Sequence, residues 1–155
     1  LGGGQLATVG HLKLTPNLVN VIPNRAVFTV DLRNTDGAVL AEAARKVSEF
    51  AELAAQDEGV RLSHRSLADF EPVMFDSHVI GRVEAIARQR GHSVRRMPSG
   101  AGHDAQMLAR MCPAGMIFVP SVGGLSHNVA EFTYDHDIQA GTEVLLELML
   151  ELANA

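Results

Sequence analysis

The sequence predicts an α+β layer in residues 1–72, followed by an α/β unit in residues 73–155. Two observations lead to this prediction. In the first half, runs that alternate between apolar and polar residues, as half-buried strands do, surround one long helical pattern. In the second half, short strand patterns alternate with helical ones, and glycine-rich loops follow the strands, which is typical of α/β folds.

The first half contains strand patterns at residues 8–14 and 26–33. Polar residues at 34–36 then supply N-cap chemistry, and apolar residues recur at helical spacing as far as Gly59, a residue type suited to a helix end. A further alternating run at residues 60–70 predicts a third strand. These elements together make the α+β layer.

The second half begins where Glu71 and Pro72 interrupt the alternating pattern, so we place a domain boundary near Pro72. Asp76 or Ser77 is expected to cap a helix that Gly91 ends. The remaining elements are a short strand at 93–97, a glycine-rich loop, a short helix, a buried strand at 116–119, a second glycine-rich loop, and a final helix with an apolar stripe from Ile138 to Leu152.

Composition limits the classes of partner. The 155 residues are 46% hydrophobic and carry a formal net charge of −5, without a basic stripe that would indicate nucleic acid or an anionic membrane surface. No apolar run approaches the roughly 20 residues of a bilayer span. The single cysteine, Cys112, has apolar neighbours, which predicts a position in or near the core and fits a reducing cytoplasm. We therefore expect a cytoplasmic protein that binds neither nucleic acid nor membrane.

Two loops combine glycine with titratable side chains. One is Ser-Gly-Ala-Gly-His-Asp at residues 99–104, and the other is Gly-Gly-Leu-Ser-His-Asn at residues 123–128. Glycine allows the backbone to approach a ligand closely and to present amide N–H groups to a carboxylate or oxyanion. Both loops could instead be ordinary turns.

The residues alone leave the chemistry of these loops open. A serine hydrolase is weakly supported, because the Gly-x-Ser-x-Gly elbow is absent from the sequence. A histidine in a metal site fits better, but a hydrolytic zinc needs three or more protein ligands. Neither His-x-Asp nor His-Glu-x-x-His occurs to supply them. Composition and spacing therefore predict a polar, glycine-rich cleft.

Four motifs follow one another along the chain: Asn-Val-Ile-Pro at 20–23, Asp-Leu-Arg at 31–33, Ser-Gly-Ala-Gly-His-Asp-Ala at 99–105 and Ser-His-Asn at 126–128. In this order and spacing they resemble the N-carbamoyl-L-amino-acid hydrolases and allantoate amidohydrolases of the zinc aminopeptidase-like superfamily. The resemblance covers nearly the whole chain, which corresponds to less than half of a full-length member.

The resemblance implies a two-domain plan. In this family an α/β catalytic domain binds two divalent ions and is interrupted by an inserted α+β domain that closes over the site and forms the dimer. Residues 1–72 would be the later part of this inserted lid and dimerisation domain. Residues 73–155 would be the C-terminal part of the metal-binding catalytic domain.

The resemblance also assigns candidate site residues. His127 matches the family's last metal ligand, whereas the other four ligands and the general-base glutamate are expected upstream of Leu1. Asn20 and Arg33 match inserted-domain residues that hold the substrate's carboxylate and polar groups. Arg33 suits that role, because its planar fork can pair bidentately with a carboxylate, although a strand arginine can also be a simple surface charge.

The backbone of Gly100, Ala101 and Gly102 matches a part of the cleft that contacts substrate, and His103 and Asp104 would shape that loop. Family members often have proline after the Ser-His-Asn motif, where this chain has valine. The other histidines match no functional position.

The implied activity is hydrolysis of the ureido C–N bond of N-carbamoyl-L-amino acids or allantoate-like ureides. The enzyme would be a homodimer with two divalent ions, zinc or manganese, per active site, and the present chain is expected to be inactive by itself. Two alternatives remain open. One is a related metallopeptidase or deacylase, and the other is a dimerisation or binding module without catalysis.

Overall fold

The computed structural model describes residues 4–154, and the chain divides between Pro72 and Val73 into two units. The first unit opens with an antiparallel hairpin of β1 (Leu6–Thr15) and β2 (Arg25–Arg33). A bulge between Val9 and His11 interrupts the register of β1. Both predicted strands are confirmed, and each is slightly longer than its sequence pattern.

Helix α1 (Gly37–Asp57) begins and ends where local chemistry predicts. The Asp36 carboxylate accepts hydrogen bonds from the N–H groups of Ala38 at 2.8 Å and Val39 at 3.1 Å. These bonds satisfy donors that the first helical turn leaves without partners. At the other end, Gly59 has a φ of 63°, the left-handed conformation of a glycine helix stop.

Packing in the first unit joins α1 to β2. Ala43 is fully buried in the helix, whereas Phe28 and Val30 on β2 remain 50% and 40% exposed. The strand predicted to be half-buried therefore forms, but it keeps much of its apolar surface open within the described chain. The third predicted strand, at residues 60–70, is wrong, because this segment has no strand partner among the described residues.

The second unit is built on two long helices, α2 (Ser77–Gln89) and α4 (Asp135–Ala153). Asp76 caps α2 by accepting a hydrogen bond from the Val79 N–H at 2.9 Å, and Gly91 ends the helix with a φ of 81°. Along the chain, a four-residue helix α3 and a short 3-10 turn come between α2 and α4. Their bounds are Ala105–Leu108 for α3 and Val122–Gly124 for the 3-10 turn.

The core of the second unit lies between α2 and α4. Ile86 is fully buried, and Ala87, Val144 and Leu148 complete the cluster. Ion pairs flank this apolar contact and connect the two helices at the surface. They are Arg82–Glu151 at 2.5 Å, Arg90–Glu147 at 3.1 Å and Arg90–Glu143.

The two predicted strands of the second unit, at 93–97 and 116–119, are not formed as strands in the described residues. Val94 and Ile117 nevertheless pack on the α2–α4 core, as side chains of a sheet layer would. Strand formation needs hydrogen bonds to a neighbouring strand, and the described residues supply none here. The prediction that Cys112 lies in or near the core is also wrong, because this side chain is exposed.

No helix within residues 4–154 has the combination of length and apolarity that crossing a membrane requires.

Candidate functional site

Arg33 lies at the last position of β2 and forms a close ion pair with Asp31. Its Nε donates to Asp31 Oδ1 at 2.7 Å, and its Nη2 donates to Asp31 Oδ2 at 3.0 Å. The two side chains share one face of the strand because they are two residues apart. The bidentate pair fixes the plane of the guanidinium. Its hydrogen bonds lower the pKa of the Asp31 carboxyl below its usual range and raise the pKa of Arg33.

Asn20 lies in the exposed connection between the strands, at the opposite end of the hairpin from Arg33. The connection closes where the Asn24 N–H donates to the Thr15 carbonyl at 2.8 Å. Eight residue steps of about 3.3 Å put the ends of β2 roughly 26 Å apart. The hairpin therefore does not hold Asn20 and Arg33 side by side.

The loop at residues 99–104 is exposed at Gly100, Ala101 and Gly102. Ser99 Oγ accepts a hydrogen bond from the Ala101 N–H at 3.3 Å. The loop leads into α3, where the Ala105 N–H donates to Nδ1 of His103 at 3.0 Å. The His103 side chain thus accepts a hydrogen bond from the first N–H of α3.

His127 lies on the second glycine-rich loop and has an unusual backbone conformation. Its φ is 56°, in the left-handed region, and among residues 4–154 it is the one non-glycine residue with positive φ. Such a conformation costs about 1–3 kcal/mol for a residue with a Cβ, and it is concentrated at functional sites. The His127 side chain is exposed.

The loop around His127 is closed by its own hydrogen bonds. The Val122 N–H donates to the Phe132 carbonyl at 2.8 Å, and Ser121 Oγ donates to the Leu125 carbonyl at 2.6 Å. Gly123 and Gly124 both have positive φ, which allows the sharp entry into the loop. The imidazole is therefore presented by a closed loop with a defined backbone.

Glu131 is absent from the residues that the sequence singles out. Its carboxylate accepts a hydrogen bond from the backbone N–H of His127 at 2.8 Å. The available signal was its position four residues after His127, in a segment where Asn128 favours a turn.

His127 brings to this loop a donor of the kind that a divalent ion prefers. An exposed imidazole is a suitable ligand for zinc. Within residues 4–154, however, no three His, Cys, Asp or Glu side chains are grouped to hold a metal ion. His127 therefore fits the role of a single ligand, and the described residues do not by themselves account for a metal centre.

Residues 4–151 match the model of peptidase family M20/M25/M40, and the chain belongs to this family.

Two amidohydrolases are among the proteins to which this chain is similar. It is 39% identical over 150 residues to the N-carbamoyl-L-amino-acid amidohydrolase of Rhizobium meliloti, and these residues cover 97% of the chain and 36% of that protein. It is 33% identical over 153 residues to the allantoate amidohydrolase of Escherichia coli K12, covering 99% and 37% of the two chains. The chain therefore spans little more than a third of these relatives.

A solved amidase structure is also similar to this chain. The chain superposes with a TM-score of 0.91 and 41% identity on a hydantoinase/carbamoylase family amidase from Burkholderia vietnamiensis. The match covers 95% of this chain and 36% of that one. The fold of this chain is thus one that occurs within a longer amidase.

Proposed function

We propose that this chain is the C-terminal part of a metal-dependent amidohydrolase that cleaves the ureido C–N bond of N-carbamoyl-L-amino acids or related ureides. The observation that carries the proposal is the 39% identity to a carbamoyl-amino-acid amidohydrolase across 97% of the chain. In such a reaction one water and the carbamoylated amine give the free amine, carbon dioxide and ammonia. The two divalent ions, zinc or manganese, would supply a hydroxide nucleophile near neutral pH.

The residues of this chain would bind and orient the reacting groups. Arg33 would pair with the substrate carboxylate, and Asp31 would keep the guanidinium plane in place for that contact. The exposed backbone of Gly100, Ala101 and Gly102 would line the cleft beside the substrate. His127 would contribute one metal ligand, and the remaining ligands and the general-base glutamate would come from a part of the enzyme outside this sequence.

We further propose that the enzyme works as a homodimer. Asn20 and Arg33 lie at opposite ends of one hairpin, so one copy does not hold both beside a small substrate. When two copies of β2 run antiparallel across a two-fold axis, the start of one strand lies near the end of the other. Asn20 of one subunit and Arg33 of its partner could then serve the same site. The exposed apolar side chains of the hairpin support such an interface.

The test is a substrate profile of the full-length protein with zinc or manganese restored. We expect ammonia release from N-carbamoyl-L-amino acids or allantoate, and little turnover of dipeptides or N-acetyl-amino acids. The 155-residue chain assayed beside it should show no turnover. Preferred cleavage of peptides or acyl-amino acids would instead indicate a metallopeptidase or deacylase. A stable dimer without any hydrolysis would indicate a binding module.

Two variants test the proposed contact between Arg33 and the substrate carboxylate. Arg33→Ala should raise KM for carbamoyl substrates about 10- to 100-fold, because a charge-assisted hydrogen-bond pair is lost. Arg65→Ala, which removes another exposed arginine of the first unit, is the matched control and should leave KM unchanged. An equal effect of both variants would contradict the assignment of Arg33.

A further inference from the structure

Contacts within its own loop must stabilise the unusual backbone conformation of His127. A left-handed φ at a residue with a Cβ persists only where surrounding contacts determine it. Glycine would adopt this conformation without strain, but this position has histidine, with a φ of 56°. Some neighbouring group must therefore offset the strain.

Glu131 is placed to do so. Its Oε2 accepts the hydrogen bond of the His127 N–H at 2.8 Å. A carboxylate that accepts from a backbone amide makes a charge-assisted hydrogen bond, which is roughly twice as strong as a neutral one. The bond joins the side chain of one residue to the peptide group of the other, so it acts on the backbone of His127 and leaves the imidazole unengaged by this contact.

A turn centred on Asn128 returns the chain so that Glu131 can reach His127. Asn128 Oδ1 accepts from the Ala130 N–H at 2.9 Å, and the Asn128 carbonyl accepts from the Glu131 N–H at 2.9 Å. Three consecutive hydrogen bonds thus close the segment from residue 127 to residue 131. Of these, only the bond that Glu131 Oε2 accepts has the His127 N–H as its donor.

We propose that Glu131 is a positioning residue that holds His127 in the left-handed conformation and so directs its imidazole toward the metal. The backbone part of this inference stands on the loop geometry alone. Its connection to a metal rests on the proposed function. Glu131 is not proposed as a ligand or as a catalytic residue, since its carboxylate contacts a backbone amide.

The experiment compares full-length wild-type protein with Glu131→Ala, Glu131→Gln and Glu131→Asp. Alanine removes the acceptor, and glutamine keeps an acceptor oxygen at the same reach. Aspartate keeps the charge but is one methylene shorter, and it provides a second test if the alanine variant does not fold. Glu52→Ala, at an exposed glutamate of α1, is the control.

Two readouts are measured. The first is hydrogen–deuterium exchange of the peptide covering residues 121–134 in metal-free protein. We expect it to be about tenfold faster around residue 127 in the alanine and aspartate variants, and within about threefold of wild type in the glutamine variant. The second is zinc affinity by chelator competition, which should weaken about 10- to 100-fold with alanine and recover with glutamine.

The outcomes separate this inference from the proposed function. Faster exchange with alanine and rescue by glutamine would support the positioning role. Unchanged exchange in the alanine and aspartate variants would overturn it, whatever the activity. Loss of zinc with glutamine at unchanged exchange would also overturn it, because Glu131 would then act as a ligand. Absence of ureido hydrolysis by the wild-type enzyme would contradict the proposed function but would leave the exchange result intact.

Discussion

Replacing Gly141 by alanine tests how closely α4 approaches the segment that leads into the His127 loop. A Cβ built at Gly141 would lie 2.5 Å from Cγ1 of Val119, far inside normal carbon–carbon contact. Valine is stiff at χ1, so its methyl group cannot swing aside freely. Val119 and α4 stand on either side of the loop that presents His127, so this contact helps to set the positions of both loop ends.

Two opposing effects determine the magnitude. Glycine to alanine within a helix stabilises by about 1 kcal/mol, because it lowers the backbone entropy of the unfolded chain. Overpacking a close contact costs about 1–3 kcal/mol. With a cost near the middle of that range, Gly141→Ala should lower the free energy of unfolding by about 1 kcal/mol.

Gly81 in α2 is the matched control, because a Cβ built there meets no atom within 4 Å. Gly81→Ala should therefore raise the free energy of unfolding by about 1 kcal/mol. Urea unfolding of the 155-residue chain, followed by circular dichroism, measures the free energy of unfolding of both variants. Both substitutions lie in the second unit of the chain. If Gly141→Ala stabilised the chain as much as Gly81→Ala does, the close approach of Val119 would be refuted.

Three further predictions concern the cap of α1 and the candidate site. Asp36→Ala should destabilise the chain by about 1 kcal/mol in urea unfolding, whereas Asp36→Asn keeps an acceptor and should change little; equal losses would argue against the cap. The hydrogen bond from Arg33 holds the pKa of Asp31 below its usual range. The stabilisation from this exposed pair, about 0.2–1 kcal/mol, is therefore present above the ordinary pKa of an aspartate and is lost as the pH falls through the lowered pKa. An NMR titration of the Asp31 carboxyl should show this shift, and Arg33→Gln should return the pKa toward its usual range; no change in that variant would contradict the pairing. In the full-length enzyme, His127→Ala should weaken zinc binding about 100-fold or more, measured by chelator competition, while Arg33→Ala leaves zinc binding unchanged; equal loss of metal in both would contradict the division of roles.

Much of the local structure was predictable from sequence, because its causes lie within a few residues. The caps at Asp36 and Asp76 and the glycine stops at Gly59 and Gly91 are where the pattern predicts them. Capping chemistry and left-handed glycine act over one turn, so neighbouring residues suffice to specify them. Family membership was also predictable, because four sequence motifs in the order and spacing of the family identify it without any knowledge of how the chain packs.

Three strand predictions were wrong, because strand pairing depends on segments that are distant in sequence. Residues 60–70, 93–97 and 116–119 carry strand patterns, yet none has a strand partner within residues 4–154. An alternating or apolar run reports only that a segment can pack in a sheet. Whether it joins one depends on a neighbour that supplies hydrogen bonds.

The candidate site divides in the same way. Residue types and spacing drew attention to Arg33 and His127, and their roles in binding and metal ligation stay predictions. Only the structure revealed that Arg33 donates to Asp31, that Asn20 lies at the far end of the hairpin, and that the His127 N–H donates to Glu131. Sequence determines which groups are available and which local turns are favoured. Distances and directions between those groups follow from the path of the whole backbone, because each depends on many dihedral angles at once.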